Sequence, residues 1–247
     1  MNIRVEQATY ADVLPFREMY RHEANCQIIH DSSLARGFAD AYLIFVDGRM
    51  EGYGAVFTKH YPGRLFEFHT FPSERANALE MFRELLAVSG AIEIEAQTNM
   101  PLAFAMLCEC GSDITLESVL FHDAFTTNLA NPGGVFRPRG PGDQFPDQSE
   151  PDGDWVIEVD DKIAANGGYL THYNPPYGDI YMEAAEPFRR QGYGSYLVQE
   201  IKRVCYEAGK KPSARCNPAN TASRKTLQRA GFAPVGHLLF GRVAAPQ

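Results

Sequence analysis

Apolar positions fall into two rhythms along the second half of the chain. Residues 180–184 are an apolar run broken only at Glu183, which predicts a buried strand. Beyond a polar stretch, Tyr196, Leu197, Ile201, Val204, Cys205 and Ala208 recur at a spacing that winds onto one face. That pattern predicts a helix over 192–209. Residues 212–216 predict another strand and 221–230 another helix, with Asn220 a good cap before it and Gly231 a stop after it. A last pair of strands is expected around 235–243.

The first half repeats this order. Residues 42–47 and 52–54 read as two strands joined by a tight polar turn, as do 155–160 and 166–168. Helix 73–89 parallels 192–209, and strand 91–96 with helix 101–110 parallels 212–231. Without a gap, Gln97 falls on Asn217, Ala103 on Ser223 and Leu107 on Leu227. A period of about 120 residues is long for a solenoid, so two related α/β units are the natural reading. The stretch 131–154 interrupts the alternation, with Pro132, Gly133, Gly134, Pro138, Pro141, Pro146 and Pro151 and one short strand candidate at 135–137. The expected organisation is therefore a first domain at 1–130, a Pro/Gly-rich linker with a stunted first strand at 131–154, and a second domain at 155–247.

The two copies differ most at one place. Between strand and helix the second copy carries Arg189, Arg190, Gln191, Gly192, Tyr193, Gly194 and Ser195. A glycine-rich turn opening a helix presents free backbone N–H groups at the positive end of the helix dipole, which suits a phosphate or pyrophosphate. The Walker pattern fails, because Ser195 and Tyr196 follow Gly194 where Lys and Ser/Thr are needed. The dinucleotide fingerprint fails too, with two glycines instead of three. What fits is Q/R-x-x-G-x-G/A, with Arg189, Gly192 and Gly194 in the fixed places. That signature resembles the acyl-CoA pyrophosphate loop of the GNAT superfamily of N-acyltransferases. Asn217, Asn220, Ser223, Leu227, Gly231 and Phe232 fall on positions of the family's next motif, and the resemblance spans residues 155–243.

The resemblance implies an α/β (α+β) fold of two GNAT-like units, each a mixed, mostly antiparallel sheet flanked by helices. It implies an acetyl-CoA-dependent N-acetyltransferase acting on a primary amine of a small molecule or protein. Cofactor contacts carry over to Ala184, Arg189, Arg190, Gln191, Gly192, Tyr193, Gly194, Ser195, Asn217, Asn220 and Ser223. In the first copy Pro72, Ser73, Glu74, Arg75, Ala76, Asn77 and Ala78 stand where the loop should recur, without a glycine and with a carboxylate that would repel pyrophosphate. The N-terminal unit thus resembles a degenerate GNAT domain that does not bind CoA. Conversely, the two helices that follow the family's first strand are missing ahead of Trp155. The acceptor wall they form is then expected from the N-terminal unit.

Charge agrees with the loop assignment. Residues 189–229 hold ten Lys or Arg against Glu200 and Glu207, a local +8 in a chain of net charge −8. A cationic island in an acidic protein is expected where a polyanionic cosubstrate docks. An acidic chain is a poor candidate for nucleic acid. No run of about eighteen apolar residues is present, and the first residues, Met1, Asn2, Ile3 and Arg4, do not read as a signal segment. Five irregularly spaced cysteines predict reduced thiols and a cytoplasmic protein, and Cys108 with Cys110 is too sparse for zinc, so no metal is expected.

Amine acylation needs a base, because an alkyl ammonium has a pKa near ~10.4. By resemblance the base is a carboxylate on the fourth strand. Glu183 is the first choice, since it interrupts an apolar strand where desolvation would raise its pKa, and an outward surface Glu is the plain alternative. Asp179 is second and reads as a turn residue after Pro175, Pro176, Tyr177 and Gly178. Leu227 stands where many family members carry a Tyr that protonates the thiolate. Either Ser223 takes that part, or water does, since a thiol of pKa near ~8.5 needs no dedicated acid. Cys216 reads as a buried strand residue and not as a nucleophile. In the N-terminal unit the polar stretch 23–33 offers Glu23, Cys26 and Asp31 as acceptor-pocket candidates, and a capped turn between two helices reads equally well. The competing function is a non-catalytic acyl-CoA-binding regulatory or sensor module. Transfer to a hydroxyl would use the same site.

Overall fold

A computed structural model of the chain describes residues 1–23, 28–146 and 152–245. The chain forms two compact units, Met1–Glu117 with Gly236–Gln247, and Ser118–Val235. The first contains β1 (Ile3–Ala8), α1 (Tyr10–Glu23), α2 (Asp31–Ala35), β2 (Ala39–Val46), β3 (Arg49–Phe57) and β4 (Arg64–Thr70). A 3-10 helix at Pro72–Asn77 then leads into α3 (Ala78–Ser89), β5 (Glu93–Gln97) and α4 (Pro101–Cys110). Next comes β6 (Gly111–Asp123), whose second half already belongs to the second unit. The second unit continues with β7 (Val135–Pro138), β8 (Trp155–Val159), β9 (Lys162–Leu170) and β10 (Tyr177–Ala184). A 3-10 turn at Glu186–Phe188, α5 (Tyr193–Glu207), β11 (Lys211–Cys216), α6 (Thr221–Arg229) and β12 (Phe232–Val243) follow.

Both units have a mixed sheet in which one parallel pair sits among antiparallel ones, β4 with β5 in the first and β10 with β11 in the second. Flanking helices bury one stripe each. In α3 the stripe is Ala78, Met81, Phe82, Leu85 and Leu86, and the helix stops at Gly90, whose φ of 64° is the left-handed value a C-terminal stop requires. In α5 the stripe is Leu197, Val198, Ile201 and Cys205, against Ile157, Ala165 and Ile180 of the sheet core. Each interior also holds a buried ion pair. In the first unit Arg17 donates to Glu67 at 2.9 and 2.7 Å, and Tyr53 adds a hydroxyl to the same carboxylate at 3.0 Å. In the second, Lys202 Nζ meets Asp123 at 2.6 Å and the carbonyls of Phe125 and Ala230 at 2.8 Å each.

Two features differ from the sequence reading. The C-terminal segment is one twelve-residue strand, β12, where a pair was expected. The units also do not divide at the Pro/Gly stretch. β6 pairs with β11 inside the second unit, from Val119↔Cys216 to His122↔Ser213. The end of β12 pairs with β5 inside the first, from Leu238↔Gln97 to Arg242↔Glu93. Each unit is therefore closed by the strand that follows the other unit's last helix. Strand propensity shows that these segments are strands but carries no label for their partner.

Candidate active site

β10 decides the geometry of the second unit. On one side it pairs with β9 as far as Ala184↔Ala165. On the other it pairs with β11 for four residues only, from Tyr177↔Lys211 to Ile180↔Ala214. From Tyr181 onward the two strands have parted, although β10 runs to Ala184 and β11 to Cys216. Half of the backbone amides and carbonyls along 181–184 then face a gap instead of a neighbouring strand. A ligand with amide groups of its own can complete that edge.

The gap leads to the loop. Arg189 Nε donates to the Ala184 carbonyl at 3.0 Å, and Gln191 Nε2 donates to the Pro187 carbonyl at 2.7 Å. Arg190 and Gly192 both have positive φ, 61° and 99°. The chain thus turns twice before α5 starts, and its first intrahelical bond is Tyr196 N–H to Gly192 at 3.0 Å. The amides ahead of that bond are the ones a helix cannot use itself. The two glycines serve different ends. A Cβ on Gly194 would lie 3.3 Å from Met182 Sδ and 3.4 Å from Thr226, so this glycine lets α5 close onto β10 and α6. At Gly192 the nearest atom is Pro132 Cβ at 4.0 Å, leaving the outer face of the turn open. Tyr193 is buried, its hydroxyl on the Pro132 carbonyl at 3.3 Å, and Ser195 is buried behind it.

Across the gap, Asn217 Oδ1 accepts from Ala219 N–H and Asn220 Oδ1 from Ser223 N–H, both at 2.9 Å. These two caps start α6 at the end of β11. Cys216 is buried there, and burial pushes its thiol pKa up while Arg224 and a bond with Ser223 pull it partly back. A thiol held protonated is a poor nucleophile, in line with the sequence reading. Leu227 is buried in the core of this unit.

Glu183 lies half-buried on β10, opposite Asn166 of β9 and on the same face as Tyr181. Asp179 is not a turn residue: it is a buried strand residue, with Arg215 Nε 3.3 Å from its carboxylate. Two neighbours of Glu183 escaped the sequence reading. Asn166 is fully buried, accepts from Gly153 N–H at 3.0 Å and Arg139 at 3.3 Å, and its own Nδ2 has no partner among the described residues. Tyr181 donates its hydroxyl to the Asp152 carbonyl at 3.1 Å. A polar residue in the middle of a strand was the available signal for Asn166.

The described part of 139–154 is held by ion pairs. Arg137 grips Asp143 with both terminal nitrogens, at 2.6 and 2.7 Å, and Glu158 at 2.6 Å. These bonds hold the Asp143 carboxyl well below the usual range. A cavity of about 490 Å³ lies beside this segment, lined by Arg137, Asp143, Glu158, Lys162, Ile163 and Pro187 among others, and none of the expected site residues lines it. Of the acceptor candidates, Cys26 lies outside the described residues. Glu23 ends α1 and Asp31 begins α2, with side chains outside the described set. Among the described residues no group of three His, Cys, Asp or Glu could hold a metal.

Comparison with known proteins agrees with this architecture. Residues 121–232 match the model of the acetyltransferase (GNAT) family. No curated protein matches the chain significantly. Among solved structures, a GNAT-family acetyltransferase from Colwellia psychrerythraea superposes with a TM-score of 0.76 at 14% identity, covering 99% of this chain and 100% of that one. A GCN5-related N-acetyltransferase from Sphaerobacter thermophilus gives 0.57 at 15%, over 99% and 97%. A tandem GNAT protein from the clavulanic acid biosynthesis pathway gives 0.56 at 12%, covering both chains fully. At these identities the likeness is one of fold. Residues 121–232 of the second unit thus resemble a GNAT acetyltransferase domain in sequence as well as in fold. The fold as a whole is that of paired GNAT units, of which the first is degenerate at its loop.

Proposed function

We propose that the protein is an acetyl-CoA-dependent N-acetyltransferase whose acceptor is a primary amine of a small molecule or protein. The observation that carries this reading is the coincidence in one unit of the β10–β11 gap and the loop that follows it. The gap offers an open strand edge to the amide-bearing arm of acetyl-CoA. The amides of Gly192 to Ser195 suit its pyrophosphate, with Arg189 and Arg190 adding charge. The open face at Gly192 leaves room for phosphate oxygens, so the residues fit the ligand.

Glu183 is the base in this proposal. It takes a proton from the acceptor ammonium, directly or through a water, and frees the lone pair that attacks the thioester carbonyl. The C–N bond forms as the C–S bond breaks, and the thiolate leaves with the amine's second proton. The unpartnered Asn166 Nδ2 beside Glu183 suits a bridging water or an acceptor oxygen. Ser223 stands at the start of α6, on the β11 side of the gap, and is the candidate relay that passes that proton to the thiolate, with water as its substitute. Cytoplasmic location belongs to the same proposal.

The test is turnover of acetyl-CoA against a panel of primary amines and alcohols, with thiol release read directly. The reading predicts release with an amine and none with the matched alcohol. Binding of acetyl-CoA without turnover on any acceptor would leave a CoA-binding regulatory module.

A further inference from the structure

Between β6 and β7 the chain does not hang free. Residues 124–134 run back along α5, from its later turns to its first. The Ala124 and Phe125 amides donate to the Gly231 carbonyl at 3.0 and 3.2 Å, and the Phe125 carbonyl accepts from Lys202 Nζ. A Cβ on Gly231 would collide with that same carbonyl, so this glycine serves the crossing of the strap as well as the end of α6. Further on, Gln199 Oε1 accepts from Thr127 Oγ1 at 2.8 Å and from the Leu129 amide at 2.6 Å. Gln199 is buried, and its Nε2 donates to Glu200 at 3.0 Å. A buried amide side chain needs partners, and those of its oxygen come from the strap. The Pro132 carbonyl then accepts from the Tyr193 hydroxyl, and Pro132 Cβ is the nearest atom to the open side of Gly192.

The strap ends where the loop needs support. Asn131 Oδ1 accepts from the Gly133 and Gly134 amides at 2.9 and 3.0 Å, and Asn131 Nδ2 donates to the Gly134 carbonyl at 2.8 Å. The chain therefore reverses in a turn braced by its own side chain, with the stiff ring of Pro132 inside it. Facing Pro132 is a loop with two left-handed residues, Arg190 and Gly192. A left-handed conformation is costly for an arginine and persists only where the surroundings hold it. Core packing holds one side of the loop, at Gly194 against Met182 and Thr226. The strap touches it from a second side, at Gly192 and Tyr193. Cosubstrate affinity falls in proportion to the fraction of time such a loop spends in another shape.

We propose that Thr127, Pro132 and Gln199 are positioning residues for the acyl-CoA loop. Gln199 holds the strap, the strap holds Pro132 against Gly192 and Tyr193, and the amides that follow stay aimed at the pyrophosphate. The inference rests on the reading that this loop binds acetyl-CoA. It adds that the affinity is set from a segment about sixty residues earlier in the chain, by side chains that act through the loop and not on the ligand.

The full chain would be titrated with acetyl-CoA by calorimetry, and its amide hydrogen exchange followed with and without the ligand. Gln199→Leu should raise the Kd by about tenfold or more. Thr127→Val, which removes one of the two bonds to Gln199, should raise it by a smaller factor, and Thr127→Ser, which keeps the hydroxyl, should bind as wild type. Cys205→Ala, on the sheet-facing side of α5, should lower the melting temperature and leave the Kd unchanged. Coupling is reciprocal, so saturating acetyl-CoA should slow exchange of the Leu129 amide in wild type. Equal Kd values in wild type, Gln199→Leu and Thr127→Val would overturn the proposal, as would unchanged exchange at Leu129. A Cys205→Ala loss of affinity as large as that of Gln199→Leu would also overturn it, reducing the strap to general stability. No binding of acetyl-CoA by wild type is a different result, and would overturn the loop assignment together with this inference.

Discussion

From β2 and from β8 onward the two units carry the same order of strands and helices and the same parting of their parallel strand pair, yet they differ in the loop that follows it. In the second unit two left-handed residues and two glycines turn the chain so that backbone amides reach outward ahead of α5. In the first, Pro72–Asn77 winds into a 3-10 helix, Glu74 adds negative charge, and a side chain replaces the glycine at Arg75. The architecture is held by packing, and packing tolerates a change of this loop from a glycine turn to a 3-10 helix. Phosphate recognition rests on a few backbone dihedrals, which any residue with a Cβ resists.

The sharpest way to break the comparison is to ask whether catalysis lives in the second unit alone. Glu183→Gln should lower turnover by roughly 10²- to 10⁴-fold, the usual range for a general base, and leave the stabilisation by acetyl-CoA intact. An unchanged rate and pH profile would remove Glu183 from the mechanism. Next in size is the first unit's buried ion pair. Arg17→Met leaves Glu67 charged and buried and should cost about 3–5 kcal/mol in denaturant unfolding. A loss under about 1 kcal/mol would mean the carboxylate reaches solvent or takes up a proton cheaply.

The loops can then be compared by the same substitution. At a hundredfold excess over its Kd, acetyl-CoA should stabilise the chain by about 2.7 kcal/mol. Gly192→Glu should abolish that gain, and Arg75→Glu at the corresponding position should not change it. Equal loss in both variants would show that the first unit also holds the cosubstrate. The smallest effect concerns the cap of α6. Asn220→Ala removes the bond to Ser223 N–H and should cost about 1 kcal/mol, whereas Gln97→Ala in the first copy tests no cap, since its amide donates to the Ile28 carbonyl at 2.7 Å. An Asn220→Ala variant as stable as wild type would remove the cap from the account.

Much of the second unit was legible because punctuation marks it. Gly192, Asn220 and Gly231 each act through their own backbone or the residue three places on, so sequence alone located α5 and α6 to within a residue or two. Asp179 was misread because its proline- and glycine-rich approach resembles a turn. Its burial depends on Arg215, which is 36 residues away and contributes no local pattern. Asn166 was missed for the same reason, its partners Arg139 and Gly153 arriving from the Pro/Gly stretch. The division into units was hidden by the exchange of closing strands. Alternation of side chains says which face of a strand is buried and nothing about which edge it joins.

That exchange has a bearing on how the protein is made. The strand that completes the first unit's sheet, Leu238 to Arg242 against β5, comes after the whole second unit in the chain. Domains ordinarily fold in turn as they leave the ribosome, N-terminal first. Here the N-terminal unit emerges complete in its helices but with the β5 edge bare, and an open strand edge invites pairing with other chains. It must wait through the synthesis of the whole second unit before its own final strand arrives. Closure of the first sheet therefore has to follow synthesis of the second unit, and a chain broken off before Leu238 would leave the N-terminal sheet open at β5.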